Sequence, residues 1–130
     1  MKQISVFLEN KKGRLKEVTS ALAKEGVGIK AVVLSESIEF GVLKIITDNI
    51  AKAVEAIEKN GFSLTLTDIL VVEIEDETGT FNKVVSLFSD NGIEIEYCYT
   101  ISSEKGAFAF KVDKLSLAKE ILSKHSLRFQ

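Results

Sequence analysis

The chain repeats itself, and no other feature narrows its fold as much. Shifted by 66 positions, the first half falls on the second: Val6 meets Val72, Glu9 meets Glu75, Gly13 meets Gly79, Val18 meets Val84 and Gly26 meets Gly92. Beyond the middle the shift becomes 65, so that Gly41 meets Gly106, Asp48 meets Asp113, Ala53 meets Ala118 and Ile57 meets Leu122. One residue is lost between Ser35 and Gly41, where a hairpin turn tolerates it. The reading gives two units, 1–66 and 67–130, with no Pro- or Ser-rich linker between them. A unit of that size buries only about 60% of its unfolded surface and is marginal alone, so the two are expected to lean on each other.

Each unit has the same order of elements. Ile4, Val6 and Leu8 alternate with Ser5, Phe7 and Glu9, a strand pattern that Leu70, Val72 and Ile74 repeat. Leu15, Val18 and Leu22 then fall at helical spacing, and Gly26 ends the helix; Phe81, Val84, Val85, Phe88 and Gly92 copy it. Residues 28–35 and 94–101 are β-branched and alternating. Hairpins follow at Glu36-Ser37 and at Ser102 to Lys105, leading into strands with Leu43 and Ile45, or Phe108 and Phe110, on one face. Asp48 is placed to cap a second helix carrying Ile50, Ala53, Val54 and Ile57, stopped by Asn60-Gly61. Last strands are expected near 62–66 and 127–129. The class is α+β: two tandem ferredoxin-like βαββαβ units, each an antiparallel sheet with helices on one face.

Composition removes several function classes. Of 130 residues, 45% are hydrophobic and 28% charged, and 17 Lys plus Arg against 19 Asp plus Glu leave a net charge of −2, without the basic excess that grips a phosphate backbone. One cysteine and one histidine exclude an intrachain disulfide framework, a four-cysteine metal site and an iron–sulfur cluster. No apolar run is long enough to span a bilayer, and Met1-Lys2-Gln3 runs straight into strand-like residues. A cytoplasmic protein with no membrane partner, no metal and no cofactor is expected.

The remaining chemistry-bearing residues read as structural. Lys105-Gly106-Ala107-Phe108-Ala109-Phe110 approximates the third-strand signature of an RNA-recognition motif, but its phase is wrong. Ala107 and Ala109 stand where bases would stack, and Phe108 and Phe110 fall on the core side, so no nucleic-acid partner is expected. Glu73 with Glu75 and Glu94 with Glu96 read as solvated strand faces. His125 reads as a helix-end residue, and Cys98 as a buried or half-buried strand residue. Tyr97 and Tyr99 share a strand face with Ile95 and Ile101 and are expected in the core. No nucleophile with an adjacent base can be assembled, so no catalysis is expected.

The first loop of each unit is different. A strand ends in an acidic residue, a polar loop follows, and a glycine opens an amphipathic helix: Glu9-Asn10-Lys11-Lys12-Gly13-Arg14-Leu15 and Glu75-Asp76-Glu77-Thr78-Gly79-Thr80-Phe81. The first helical turn has unpaired N–H groups and partial positive charge, and glycine leaves the backbone open to approach. Such a corner seats a small carboxylate, and Asn10 or Asp76 can accept a hydrogen bond from an ammonium group. A purely structural turn remains the competing reading.

The pattern of a strand, Glu-Asn-x-x-Gly-x-Leu, a helix, Gly-Val-x-Ile and a strand resembles the ACT domain, a small-molecule-sensing module attached to many enzymes of amino-acid metabolism. The resemblance covers the whole chain as two tandem copies. It implies an allosteric, non-catalytic regulatory protein that binds a free amino acid or similar small zwitterion where two units pair, with a homodimer as its assembly and a regulated enzyme as partner. Carried over residue by residue, it implies one site from Asn10, Gly13, Arg14 and Leu15 with Glu94, Ile95 and Glu96. A mirror site would use Asp76, Gly79, Thr80 and Phe81 with Gly28, Ile29 and Lys30. The chain departs from the family in having Lys12 and Thr78 in place of the usual proline before the loop glycine, and Gly28 and Glu94 at the start of the second strand, where some members have asparagine. The first loop, with Lys11, Lys12 and Arg14, suits a carboxylate; the second, with Asp76 and Glu77, repels one unless backbone N–H groups and Lys30 compensate. A structural dimerisation or protein-interaction module without a ligand is the alternative.

Overall fold

The computed structural model describes residues 1–9, 11–36 and 40–130. Asn10 and the hairpin residue Ser37 therefore lie outside the described residues. The chain divides into two compact units, Lys2–Thr67 and Asp68–Gln130, Met1 going with the second. Each has the expected helix-on-antiparallel-sheet architecture.

In the first unit β1 (Lys2–Glu9), α1 (Arg14–Lys24), β2 (Ile29–Glu36), β3 (Phe40–Thr47), α2 (Ile50–Lys59) and β4 (Ser63–Asp68) form a sheet of order β2-β3-β1-β4. The antiparallel register sets Ile4 beside Ile45 and Val6 beside Leu43. Those four residues, with Val18 and Leu22 from α1 and Ala53 and Ile57 from α2, form a fully buried core. The helices therefore cover the strand face that carries the alternating aliphatics.

The second unit copies this with β5 (Leu70–Glu73), α3 (Thr80–Asp90), β6 (Ile95–Ile101), β7 (Ala107–Val112) and α4 (Leu115–Lys124), in the order β5-β7-β6. Its last strand is shorter than expected. Val72 and Phe129 form a single bridge, flanked by Glu73 N–H donating to Arg128 O at 3.0 Å and Val71 N–H to Gln130 O at 3.0 Å. Phe88 meets Phe110 edge-on at 5.4 Å, both fully buried, and Phe108 is half-buried against Phe81 at 4.6 Å. The two phenylalanines of the RNA-like segment thus belong to the core.

Three sequence expectations are corrected. Asn49, not Asp48, caps α2, its side chain accepting from Lys52 N–H at 3.1 Å. Asp48 instead holds the start of β2. Its Oδ1 accepts from Gly28 N–H at 2.9 Å, while its own N–H donates to Gly28 O at 3.0 Å. Asp113 makes the same pair of bonds to Glu94, at 2.9 and 3.2 Å. Second, Tyr97 and Tyr99 do not join the helix-side core. The register slips between Ile95 and Tyr97, so Ile95 pairs with the core residue Val112, whereas Tyr97 pairs with Lys111 and Tyr99 with Ala109 on the opposite face. A bulge inserts one unpaired residue and reverses the phase of everything after it. Third, Cys98 is exposed, because β6 lies at the sheet edge. The same slip occurs in β2 between Ile29 and Ala31.

Candidate functional site

The two glycine corners are built alike. Gly13 has φ +85° and ψ −3°, and Gly79 has φ +91° and ψ −9°. Helix-capping residues are ordinarily extended; here the chain enters the helix through the left-handed region, where an L-residue is strained. As the N-cap residue of α1 and of α3, a glycine has no side chain with which to cap the first turn. A Cβ at either glycine would meet nothing within 4 Å. At the second corner the first helical donor is occupied, Thr80 N–H donating to Glu77 O at 3.3 Å; the first corner thus offers the more accessible first-turn N–H groups, the feature that seats a carboxylate oxygen.

At the first corner Lys11, Gly13, Arg14 and Leu15 come together with Leu34 and Glu36 around a cleft of about 220 Å³. Leu34 and Glu36 were missed in the sequence; the hairpin brings them in from the end of β2. Arg14 is not a free cation. Its guanidinium lies 2.8 Å from Glu17 Oε2 and 3.3 Å from Glu9 Oε2, and Lys11 Nζ is 3.3 Å from the same Glu9 oxygen. The Lys11 ammonium, and then Arg14, hold the Glu9 carboxyl below its ordinary range, while Glu17 and then Glu9 raise Arg14. Glu17 was also missed, although its spacing of three residues from Arg14 on one helix face is a readable ion-pair signal. Lys12, beside them, is exposed. The excess positive charge read from the loop is therefore largely balanced by Glu9 and Glu17.

The second corner is braced from within. Thr80 Oγ1 lies 2.6 Å from Glu75 O and 2.9 Å from Glu77 O, so its hydroxyl ties the loop to the helix start. Phe81 is 37% exposed and its ring lies against Phe108 and Phe110. Asp76 and Gly79 are exposed.

The strand-start residues named from the resemblance sit at the heads of β2 and β6. Gly28 and Glu94 have their N–H groups taken by Asp48 and Asp113. A Cβ at Gly28 would stand 2.6 Å from Asp48 Oδ2, so the carboxylate occupies the place of a side chain there. Ile29 and Lys30 are exposed, and Ile95 is half-buried on the core. Glu96 bonds to Lys111 Nζ at 2.9 Å and, as the larger influence, raises the lysine's pKa. Of the two acids expected to receive an ammonium group, Glu96 thus already holds a cation.

Among the described residues no group of His, Cys, Asp and Glu is placed to hold a metal ion, and no helix is long and apolar enough to cross a membrane.

A family model described as an ACT domain pair matches residues 1–130. Protein BT0572 from Bacteroides thetaiotaomicron is similar in structure, with a TM-score of 0.92, 33% sequence identity, and coverage of 99% of this chain and 90% of that one. The ligand-free regulatory subunit of aspartate kinase from Thermus thermophilus shares the fold at TM-score 0.65 and 17% identity, over 95% of this chain and 91% of that one. A structure of aspartokinase alpha and beta subunits does so at 0.59 and 17%, over 95% and 90%. No curated protein matches.

Proposed function

The chain belongs to the ACT domain pair family, and on that premise we propose that it is a non-catalytic cytoplasmic sensor of a free amino acid. The ligand's carboxylate is held at the glycine corner of the first unit. One observation carries this reading: α1 opens on Gly13, which has no side chain to cap the first turn, and the space a Cβ there would fill is open. Lys11, Lys12 and Arg14 supply the positive surroundings, tempered by Glu9 and Glu17. Binding alters the chain's assembly, proposed as a homodimer, or its affinity for an enzyme of amino-acid metabolism. The fold shared with a regulatory subunit of aspartate kinase supports that kind of partner.

The test is a thermal-shift screen of the twenty amino acids at millimolar concentration. A ligand at about 100 times its Kd adds ~2.7 kcal/mol to stability, which raises the melting temperature of a domain of this size by several degrees. A shift with one amino acid or a few related ones, abolished in a folded Gly13→Val protein, is the expected result. No shift with any of them leaves the ligand-free interaction module as the function.

A further inference from the structure

The second unit contains a larger cavity; of the mirror-site residues named above, only Thr80 lines it. It has a volume of about 490 Å³, within the range of small-molecule sites. Its floor is apolar, formed by buried Ile74 and Val84 and half-buried Leu127. Its rim carries five charges from separate parts of the chain. Glu73 ends β5, Glu75 follows it, Lys83 lies in the first turn of α3, Lys105 precedes β7, and Arg128 stands in the closing segment.

None of these five side chains forms an ion pair or hydrogen bond among the described residues. That sets the cavity apart from the first corner, where the charges around Arg14 neutralise one another. The backbone brings the positions that carry them together: Glu73 N–H donates to Arg128 O at 3.0 Å, and Ile74 N–H donates to the carbonyl of Gly106, next to Lys105, at 3.3 Å.

The internal repeat serves as a control. The corresponding hollow in the first unit is smaller, about 300 Å³, and Phe7 and Phe40 line it. By the repeat alignment, Glu73 stands where the first unit has Phe7, Lys105 where it has Phe40, Lys83 where it has Glu17, and Arg128 where it has Ser63. The fold therefore requires no charge at the places of Glu73, Lys105 and Arg128 and no positive one at that of Lys83, whereas Glu75 matches Glu9. Opposite charges that share a cavity without pairing leave room for a molecule that pairs with both.

We infer that this cavity is a second ligand site, confined to the second unit, for an α-amino acid with an apolar side chain. Lys83, Lys105 and Arg128 take the carboxylate, with arginine able to do so bidentately. Glu73 and Glu75 take the ammonium group, and the side chain lies on Ile74, Val84 and Leu127. Only the ligand class rests on the reading proposed above; the location stands on the cavity itself. With three cations against two carboxylates, loss of the ligand's carboxylate weakens binding more than loss of its amine.

The test is an NMR titration of the full chain with L-leucine, 4-methylpentanoate, which lacks the amine, and 3-methylbutylamine, which lacks the carboxylate. The expected result is saturable shifts at Lys83, Lys105 and Leu127, in the affinity order leucine, then the acid, then the amine. Lys105→Gln combined with Arg128→Gln weakens leucine at these signals about tenfold or more, by the loss of charge-assisted bonds. Both side chains are exposed, and circular dichroism verifies that the variant folds. Leucine shifts confined to residues 11–16 overturn this site and leave the first-unit reading standing. Shifts at the second-unit cavity that persist unchanged in the double variant, or tighter binding of the amine than of the acid, also overturn it. Shifts at the cavity in a chain whose first corner never responds to any amino acid retain this site and remove the earlier reading.

Discussion

Replacing Gly13 by alanine separates the conformational role of the corner from its binding role. At φ +85° an L-residue is strained by about 1–2 kcal/mol, while the stiffer unfolded chain returns about 0.4–1 kcal/mol. Because a Cβ there meets nothing within 4 Å, no packing penalty is added. The expected net loss is about 1 kcal/mol, or about 4–8 °C in melting temperature for a unit of this size. Gly79, at φ +91° with equally open space, provides the internal duplicate and should lose the same amount. Gly106 supplies the contrast: its φ is +82°, and its added Cβ would stand 2.8 Å from Ile74 O, a backbone atom that cannot swing away. Overpacking costs about 1–3 kcal/mol, so Gly106→Ala should lose about 2–4 kcal/mol. Urea unfolding followed by circular dichroism measures all three variants. Equal losses at Gly13 and Gly106, or no loss at Gly13, would refute the reasoning, since open space and left-handed backbone would then not be what distinguishes these positions.

Further outcomes follow from the hydrogen bonds and ion pairs. Because Lys11 is the larger influence on Glu9, NMR titration should show Lys11→Ala returning the Glu9 carboxyl further toward its ordinary range than Arg14→Ala does. The sign is that of a depressed carboxylate: the pairing favours the fold above the unfolded-state pKa, and that contribution is lost as pH falls through the lowered folded-state value. Asn49→Ala should cost about 1 kcal/mol as a lost helix cap. Asp48→Ala should leave α2 capped but expose the Gly28 amide to hydrogen exchange, a difference read directly by exchange rates.

Much of the fold was legible because duplication tests every element twice. Ile4, Val6 and Leu8 could be a strand by chance, but Leu70, Val72 and Ile74 at the same offset could hardly be so, and the core contains all six. Legibility stopped where one residue changes the phase. Nothing in the run from Ile95 to Ile101 marks Glu96 as a bulge, so Tyr97 and Tyr99 read as core residues although they lie on the other face. Asp48 and Asn49 are both good capping residues; only the chain path shows that Asp48 turns back to Gly28 and leaves the cap to Asn49. The corner glycines were legible as a motif, but Gly13 and Gly79 read only as small residues, and their left-handed backbone is a second reason for them. The pairing of Arg14 with Glu9 and Glu17 joins the strand end to the first helical turn across the loop. The second-unit cavity draws Glu73, Lys105 and Arg128 together over long stretches of chain, which no local pattern reveals.

The most direct measurement is an amide NMR titration of the chain with each of the twenty amino acids, following Gly13, Arg14 and Leu15. The account predicts saturable shifts at those amides with at least one amino acid, and their loss in Gly13→Val. Amides at this turn that stay unmoved by every amino acid would contradict it.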